Sequence, residues 1–146
     1  MRRLLFVASL ALCFISTSVL AQQSQSFGDY SVHYNALSAS LLSPQVAQAY
    51  DIQRSNQRAV LNISVLRENA ENDATPVHAQ VTASAINLTG QRRDIKLREV
   101  QENEAIYYIG EFRVHNLETY NFTIEVTPDG KQNPYKVEFR QQFYTE

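Results

Sequence analysis

The side chains that most often carry metal chemistry are scarce in this sequence. Its three histidines are His33, His78 and His115, and no two of them stand at the H-x-H or H-x-x-x-H spacing of paired metal ligands. A metal site would need all three to converge from separate strands or loops. The sequence therefore predicts solvated histidines, no metal site and no cofactor.

Groups suited to catalysis are equally sparse. A G-x-S-x-G nucleophile elbow is absent from the sequence. Two carboxylate pairs, Glu68 with Glu71 and Glu102 with Glu104, fall in predicted turns, where acidic side chains are solvated, whereas acid-base catalysis needs burial to tune them. We predict no catalytic residue and no enzymatic activity. An enzyme is the third alternative, and it would require a buried, perturbed histidine or carboxylate in a cleft.

A small set of polar residues is better placed to bind a ligand. Arg54 and Arg58 lie close together in an irregular passage that follows a short predicted helix ending at Tyr50. Guanidinium groups beside an aromatic ring can clamp a carboxylate or a sugar. The competing interpretation is that both arginines pair with surface acids. His33 and Asn35, polar residues of the first predicted strand, complete the candidate binding residues.

The first 21 residues have the layout of a cleavable signal peptide. Arg2 and Arg3 form the positive region, residues 4–15 the apolar run, and residues 19–21 a cleavage site that ends in Ala21. Cleavage there leaves residues 22–146, a normal length for a single domain with its own core. The apolar run has about a dozen residues, whereas about 20 are needed to cross a bilayer as a helix, so we expect no stable membrane insertion after cleavage.

The composition of the mature chain narrows its compartment and its partners. Loss of Arg2 and Arg3 takes the formal charge from −2 to −4, which argues against a nucleic-acid partner, because such a partner favours a basic face. The single cysteine, Cys13, and the single methionine, Met1, are lost with the leader, which excludes disulfides and thiolate ligands. An exported domain without disulfides is typical of a bacterial periplasm.

Hydrophobic alternation with a period of two predicts the elements that position these residues. The predicted strands are residues 27–37, 59–65, 77–85, 94–100, 105–114, 120–126 and 135–143. Residues 22–26 are predicted to be a polar lead, and Ser43 with Pro44 opens a short helix at residues 45–50, between the first two strands. The pattern predicts an all-β, antiparallel, immunoglobulin-like β-sandwich of about seven strands, with a small closed barrel as the alternative.

Two details of the apolar strand at residues 105–114 predict close contacts. Gly110 within it indicates a bulge or a tight crossing of another segment. Tyr107 and Tyr108 are neighbours, so alternation places their rings on opposite faces of the sheet. One of the two rings is then exposed or covered by a partner.

Four blocks of the mature chain resemble a family of short periplasmic proteins of proteobacteria, domain-of-unknown-function family 4426 (DUF4426). The blocks are FGDYSVHYN at residues 27–35, LSPQVA at residues 42–47 followed by Tyr50 and IQRS at residues 52–55, AIYYI at residues 105–109, and QFY at residues 142–144. The resemblance implies export and a β-sandwich. It implies no activity, ligand or catalytic residue.

Two functions of different kinds are compatible with these observations. The first is a non-catalytic periplasmic sandwich that binds another envelope protein through a sheet edge or face, because exposed strand edges accept added strands. The alternative is a module that binds a small carboxylate or sugar through Tyr50, Arg54 and His33. That alternative requires the three side chains to converge in one pocket. The sequence carries no signal of oligomeric state.

Overall fold

The computed structural model describes residues 23–71 and 73–146, which form ten β-strands, one short α-helix and one 3-10 turn. In chain order the strands are β1 (Gln23–Phe27), β2 (Tyr30–Ser38), β3 (Arg58–Glu68), β4 (Ala74–Pro76), β5 (Ala79–Asn87), β6 (Arg92–Ile95), β7 (Arg98–Glu102), β8 (Ala105–Arg113), β9 (Thr119–Pro128) and β10 (Tyr135–Gln142). The 3-10 turn (Ala39–Leu41) and helix α1 (Pro44–Ala49) lie between β2 and β3. The predicted leader and its cleavage after Ala21 fall outside the described residues.

The strands pair into two antiparallel sheets that face each other as an open sandwich. One sheet has six strands in the order β1-β2-β3-β8-β7, with β4 paired to β3. The other sheet has four strands in the order β10-β9-β5-β6. The predicted antiparallel β-sandwich is therefore confirmed, with ten described strands rather than about seven, and the sheets do not close into a barrel.

The core between the sheets follows the predicted alternation. In β9, Tyr120, Phe122, Ile124 and Val126 are each at most 1% exposed, while the residues between them face outward. Phe122 stacks on Phe139 of β10 with ring centroids 4.6 Å apart. Removal of this apolar surface from water is the main favourable contribution to folding, so these faces fix the register of the strands.

The predicted polar lead at residues 22–26 is a strand in its described part, which corrects the sequence interpretation. Gly28 and Asp29 form a two-residue turn in which Gly28 has φ +60°, a conformation that glycine adopts without strain. The turn folds β1 back onto β2, so that Phe27 pairs with Tyr30. An edge strand with exposed side chains needs no apolar alternation, and the polar sequence therefore concealed it.

The prediction of a single strand at residues 94–100 is wrong, because this segment contributes one strand to each sheet. β6 ends at Ile95 in the four-stranded sheet, and β7 begins at Arg98 in the six-stranded sheet. The chain crosses over Gly110, where a Cβ atom would lie 2.7 Å from Ile95 Cγ2 and 2.8 Å from the carbonyl oxygen of Lys96. The tight crossing predicted at Gly110 is confirmed, since only glycine leaves room for the crossing backbone.

The short helix is confirmed at Pro44–Ala49, within a residue of each predicted end. Ser43 is its N-cap, and the Ser43 hydroxyl oxygen accepts a hydrogen bond from the backbone N–H of Val46 at 3.2 Å. Pro44 occupies the first helical position, where a backbone N–H would have no acceptor within the helix, so the lack of an N–H in proline costs nothing there. A helix of six residues is unstable alone, so its packing on the sheet maintains it.

The helix and the residues around it cover part of the outer face of the six-stranded sheet. Ala47 and Ile52 pack there against Val60 and Ile109, forming a second small hydrophobic cluster. Tyr107 packs against this cluster, whereas the neighbouring Tyr108 lies in the main core. The two rings thus lie on opposite faces as predicted, and a segment of the same chain covers Tyr107.

Candidate binding groove

Arg54 and Tyr50 fasten the segment that connects β2 to β3. The Arg54 guanidinium donates through Nε to the carbonyl oxygen of Leu42 at 2.8 Å and through Nη2 to that of Ser40 at 3.3 Å. These carbonyls lie at the end of the 3-10 turn, where no intrahelical donor reaches them. The Tyr50 hydroxyl donates to a carboxylate oxygen of Glu102 on β7, and this hydrogen bond raises the pKa of Tyr50. Both side chains are thus occupied by contacts within the chain.

Arg58 lies at the start of β3 and faces an acid of the neighbouring strand. Its Nε atom is 3.5 Å from Glu111 Oε1, an ion pair between partly exposed side chains. The same carboxylate oxygen accepts a hydrogen bond from the backbone N–H of Gln53 at 3.3 Å. Glu111 therefore connects Arg58 to the segment between α1 and β3.

His33 and Asn35 lie on the outer face of β2. His33 Nε2 is 3.2 Å from the Ser31 hydroxyl, and Asn35 lies directly opposite Asn62 of β3. The Oδ1 atoms of Asn35 and Asn62 are both buried, and no hydrogen-bond donor reaches them from the described residues. A buried acceptor without a donor is costly, so these two oxygens lower the stability of this part of the sheet.

The pocket that the small-ligand alternative requires from Tyr50, Arg54 and His33 is not formed by their contacts. Tyr50 binds Glu102, Arg54 binds carbonyls of its own segment, and His33 pairs with Ser31. The three side chains thus have three separate sets of partners. This arrangement gives the small-ligand alternative no support.

A groove of about 610 Å³ lies on the open side of the sandwich, where the end of β2 faces the end of β10. Its lining includes Leu37, Leu41, Phe143 and Tyr144, together with uncharged polar side chains, and Asn35 is the one sequence-predicted binding residue among them. Among the residues that the structure describes, no Asp, Glu, Lys, Arg or His side chain lines it. Leu41 is 69% exposed and Tyr144 is 63% exposed, so large apolar groups on the groove face solvent.

The groove follows from how β1 and β10 meet β2. Within the described residues, β1 pairs with β2 only as far as Tyr34, so the last four residues of β2 have no strand on this side. Gln141 of β10 reaches across from the other sheet, and its Nε2 donates to the Ala36 carbonyl oxygen at 2.7 Å. Phe143 follows β10 and is 4% exposed against the aromatic core, which anchors the chain and directs Tyr144 outward.

Sequence reasoning missed Leu41, Gln141 and Tyr144 as a set. Leu41 lies in the 3-10 turn, which has no alternation, and Gln141 occupies an inward-facing position of β10 that a polar residue would not be expected to fill. That inward glutamine was the one available signal. Tyr144 belonged to a block that carried the family resemblance, but its exposure depends on the packing of Phe143.

A cluster of polar side chains, formed by His78, Glu99 and Tyr108, connects the two sheets. The Ala79 N–H donates to the Tyr108 hydroxyl at 2.8 Å, and this hydroxyl donates to Glu99 Oε1 at 3.2 Å. Glu99 Oε1 also lies 2.5 Å from His78 Nδ1. Burial, as the largest cause, raises the pKa of Tyr108 to about 12. The cluster joins β7 and β8 of one sheet to the start of β5 in the other.

Residues 23–71 and 73–146 contain neither a cluster of metal-ligating side chains nor a helix able to span a membrane. No three His, Cys, Asp or Glu side chains in residues 23–71 and 73–146 are grouped so that they could hold a metal ion. In the same part of the chain, no helix has the length and apolar character needed to cross a membrane.

Comparisons with known proteins agree on the fold. The chain is 35% identical to a DUF4426 family protein from Pseudomonas aeruginosa PAO1 of known crystal structure, with a TM-score of 0.73 over 86% of this chain and 96% of that chain. FetP of uropathogenic Escherichia coli strain F11, expressed recombinantly in the periplasm, has a TM-score of 0.58 at 9% identity, over 85% of this chain and 94% of that chain. A copper-bound variant of the same FetP has a TM-score of 0.56 at 10% identity, over 84% of this chain and 95% of that chain.

At these low identities the similarity to FetP shows the shared sandwich fold alone. No curated protein sequence matches the chain. The model of the domain of unknown function DUF4426 matches residues 24–146. Together with the 35% identity over most of the Pseudomonas protein, this match shows that the chain belongs to the DUF4426 family.

Proposed function

We propose that this protein is a periplasmic, non-catalytic binding protein whose partner is another protein of the bacterial envelope. The layout of residues 1–21 as a cleavable leader and the absence of cysteine from residues 22–146 support the compartment. The expression of FetP, a protein of similar fold, in a periplasm is compatible with it. The sparse acid-base and nucleophile patterns support a role in binding.

The observation that carries the proposal is the uncharged groove between the ends of β2 and β10. Leu41 and Tyr144 expose more than half of their side chains along it. Exposed apolar groups that are gathered around a concave surface are typical of protein contacts, whereas single exposed apolar residues need no explanation. Burial of one such side chain contributes about 1.5–3 kcal/mol, so these two together would supply much of the energy of a modest complex.

Site-specific photo-crosslinking in the native host tests this proposal. A p-benzoylphenylalanine residue replaces Leu41 in one variant and Tyr144 in another, and Leu88 in a matched control. Leu88 is 66% exposed, almost as much as Leu41, but it lies in the turn after β5 and is not part of the groove lining. Irradiation is followed by electrophoresis and by mass-spectrometric mapping of the crosslinked segment.

We expect both groove variants to give the same adduct, with one defined segment of one envelope protein, and the Leu88 control to give none. An adduct with the same partner from all three positions would contradict a site at the groove. An adduct of twice the chain's mass would identify a second copy as the occupant, and the absence of any adduct would also contradict the proposal.

A further inference from the structure

The edge of β2 beyond Tyr34 offers backbone groups to another strand. In an antiparallel ladder, alternate residues of a strand direct their N–H and C=O groups to the same side. The turn at Gly28 and Asp29 pairs Tyr30 with β1, so the backbone groups of every second residue of β2 face the β1 side. By this alternation, the backbone N–H and C=O groups of Ala36 and Ser38 also face the β1 side, in the part of β2 that β1 does not reach.

A side chain takes the position that a strand would occupy at this edge. The Gln141 amide donates to the Ala36 carbonyl oxygen at 2.7 Å, a bond that a backbone N–H of an added strand would otherwise make. Holding a glutamine side chain in one geometry costs rotamer entropy, whereas an extended backbone brings a row of donors at regular spacing. The Gln141 contact is therefore displaceable, and it shows that the Ala36 carbonyl is accessible to a donor from the groove.

The predicted cleavage leaves no segment of this chain to extend β1 along the open edge. β1 begins at Gln23, and cleavage after Ala21 leaves Gln22 as the one residue before it. Covering Ala36 and Ser38 by an extension of β1 would need several more residues, because Tyr34 already pairs with Gln23. We therefore expect a strand at this edge of the mature chain to come from another molecule.

The lining of the groove indicates the chemistry of that strand. The described part of the lining has no charged side chain and so provides no partner for a buried charge of the ligand. Leu37, Leu41 and Phe143 provide an apolar surface, and the Ala36 carbonyl oxygen accepts the Gln141 amide there. These features match an extended segment with small or apolar side chains and free backbone N–H groups.

We propose that an uncharged, extended segment of the envelope partner adds as a strand to β2 along Asn35–Ser38 and takes over the Ala36 carbonyl from Gln141. This inference rests on the proposed function, and it specifies how the partner binds. The partner's backbone N–H groups supply the affinity, and its apolar side chains fill the groove.

Selection from a phage-displayed library of random twelve-residue peptides on the chain starting at Gln22 tests this binding mode. Each enriched peptide is synthesised in three forms. One form is unmodified, the second is N-methylated at every odd-numbered backbone amide, and the third at every even-numbered one. N-methylation removes hydrogen-bond donors and leaves the side chains unchanged. The form methylated at the amides that face β2 should therefore bind at least ten-fold more weakly, while the affinity of the other methylated form stays close to that of the unmodified peptide. The Leu41→Glu variant, altered at an exposed position, should lose binding of all three forms.

Amide hydrogen exchange provides a readout at the edge itself. Bound peptide should slow exchange of the Ala36 and Ser38 amides, and should leave exchange in β6, an edge strand of the other sheet, unchanged. Equal binding of both N-methylated forms, unchanged exchange at Ala36 and Ser38, or failure to enrich any peptide that distinguishes the wild type from Leu41→Glu would each overturn strand addition. The proposed function would still stand if crosslinking maps an envelope partner to Leu41 and Tyr144, so the two failures are distinguishable.

Discussion

Replacement of Tyr108 by phenylalanine tests whether the polar cluster between the sheets stabilises the sandwich. The Tyr108 ring is 5% exposed, and its hydroxyl accepts from the Ala79 N–H and donates to Glu99. Phenylalanine preserves the ring and its packing and removes the hydroxyl alone. The substitution leaves a partly buried backbone N–H at Ala79 without its partner, at the place where β5 begins.

An unsatisfied buried donor costs roughly 1–3 kcal/mol. We expect Tyr108→Phe to lower the free energy of unfolding at pH 7 by about 1–3 kcal/mol, measured by urea denaturation, with an unchanged m-value. Tyr107→Phe is the matched control, because it makes the same chemical change at the adjacent position of β8, on the opposite face. No hydrogen bond to the Tyr107 hydroxyl is formed by the described residues, so we expect its effect to stay within about 0.5 kcal/mol.

The pH dependence of stability provides a second readout for the same residue. The pKa of Tyr108 is raised to about 12 in the folded chain from an ordinary value of 10.0, mainly by burial. A group with a raised folded pKa contributes stability that is complete below the unfolded pKa and is lost as pH rises through the folded pKa. Tyr120 behaves alike, since burial raises its pKa to about 12. The wild type should therefore lose stability between about pH 10 and about pH 12.

In Tyr108→Phe that alkaline loss should become shallower, since Tyr108 no longer contributes to it. Each tyrosine contributes a slope of up to about 1.4 kcal/mol per pH unit in this range. Equal destabilisation by Tyr108→Phe and Tyr107→Phe at pH 7 would refute the role of the hydroxyl. An alkaline slope identical to that of the wild type would refute the assignment of the slope to Tyr108.

Three other predictions concern the crossing, a strained turn and the leader. Gly110→Ala should destabilise the chain by about 1–3 kcal/mol in urea denaturation, because its Cβ would lie 2.8 Å from the Lys96 carbonyl oxygen, and a neutral effect would show that the crossing can move. Leu117→Asn should raise the melting temperature by a few degrees, because Leu117 is 58% exposed at φ +60°, where asparagine is less strained; a lower melting temperature would contradict this. Intact mass measurement of the periplasmic protein should give residues 22–146, and a mass that includes residues before Gln22 would place the cleavage elsewhere or exclude it.

The parts of the fold that the sequence predicted are those decided by burial of one face of a strand. Alternation located the core positions of β9 correctly, because each inward residue there is almost fully buried and each register slip would expose it. The helix after β2 was also predictable, because Ser43 and Pro44 act on adjacent residues. Both signals are local or repeat along one element.

The parts that sequence reasoning missed depend on contacts between distant residues. β1 has no apolar alternation, and the passage of the chain from β6 to β7 is decided by the space above Gly110. The groove depends on Gln141 meeting Ala36 across 105 positions in the chain, and no local pattern indicates that pairing. His33, Tyr50 and Arg54 were grouped as a possible ligand pocket, but His33 pairs with Ser31 of its own strand, Arg54 binds carbonyls of its own segment, and Tyr50 binds Glu102 on β7.

The distribution of charge along the sheet edges also favours a partner at β2. Strand edges invite association, and charged side chains are a common way to prevent it. The edge strands β6, β7 and β10 each contain both basic and acidic residues, whereas the last four residues of β2 and all of β1 contain none. At β2, the described residues place a single side-chain amide, that of Gln141, on the exposed backbone. An edge that always excludes added strands would be expected to carry charges, as β6, β7 and β10 do. The edge of β2 beyond Tyr34 carries none, and this favours a surface that accepts a strand.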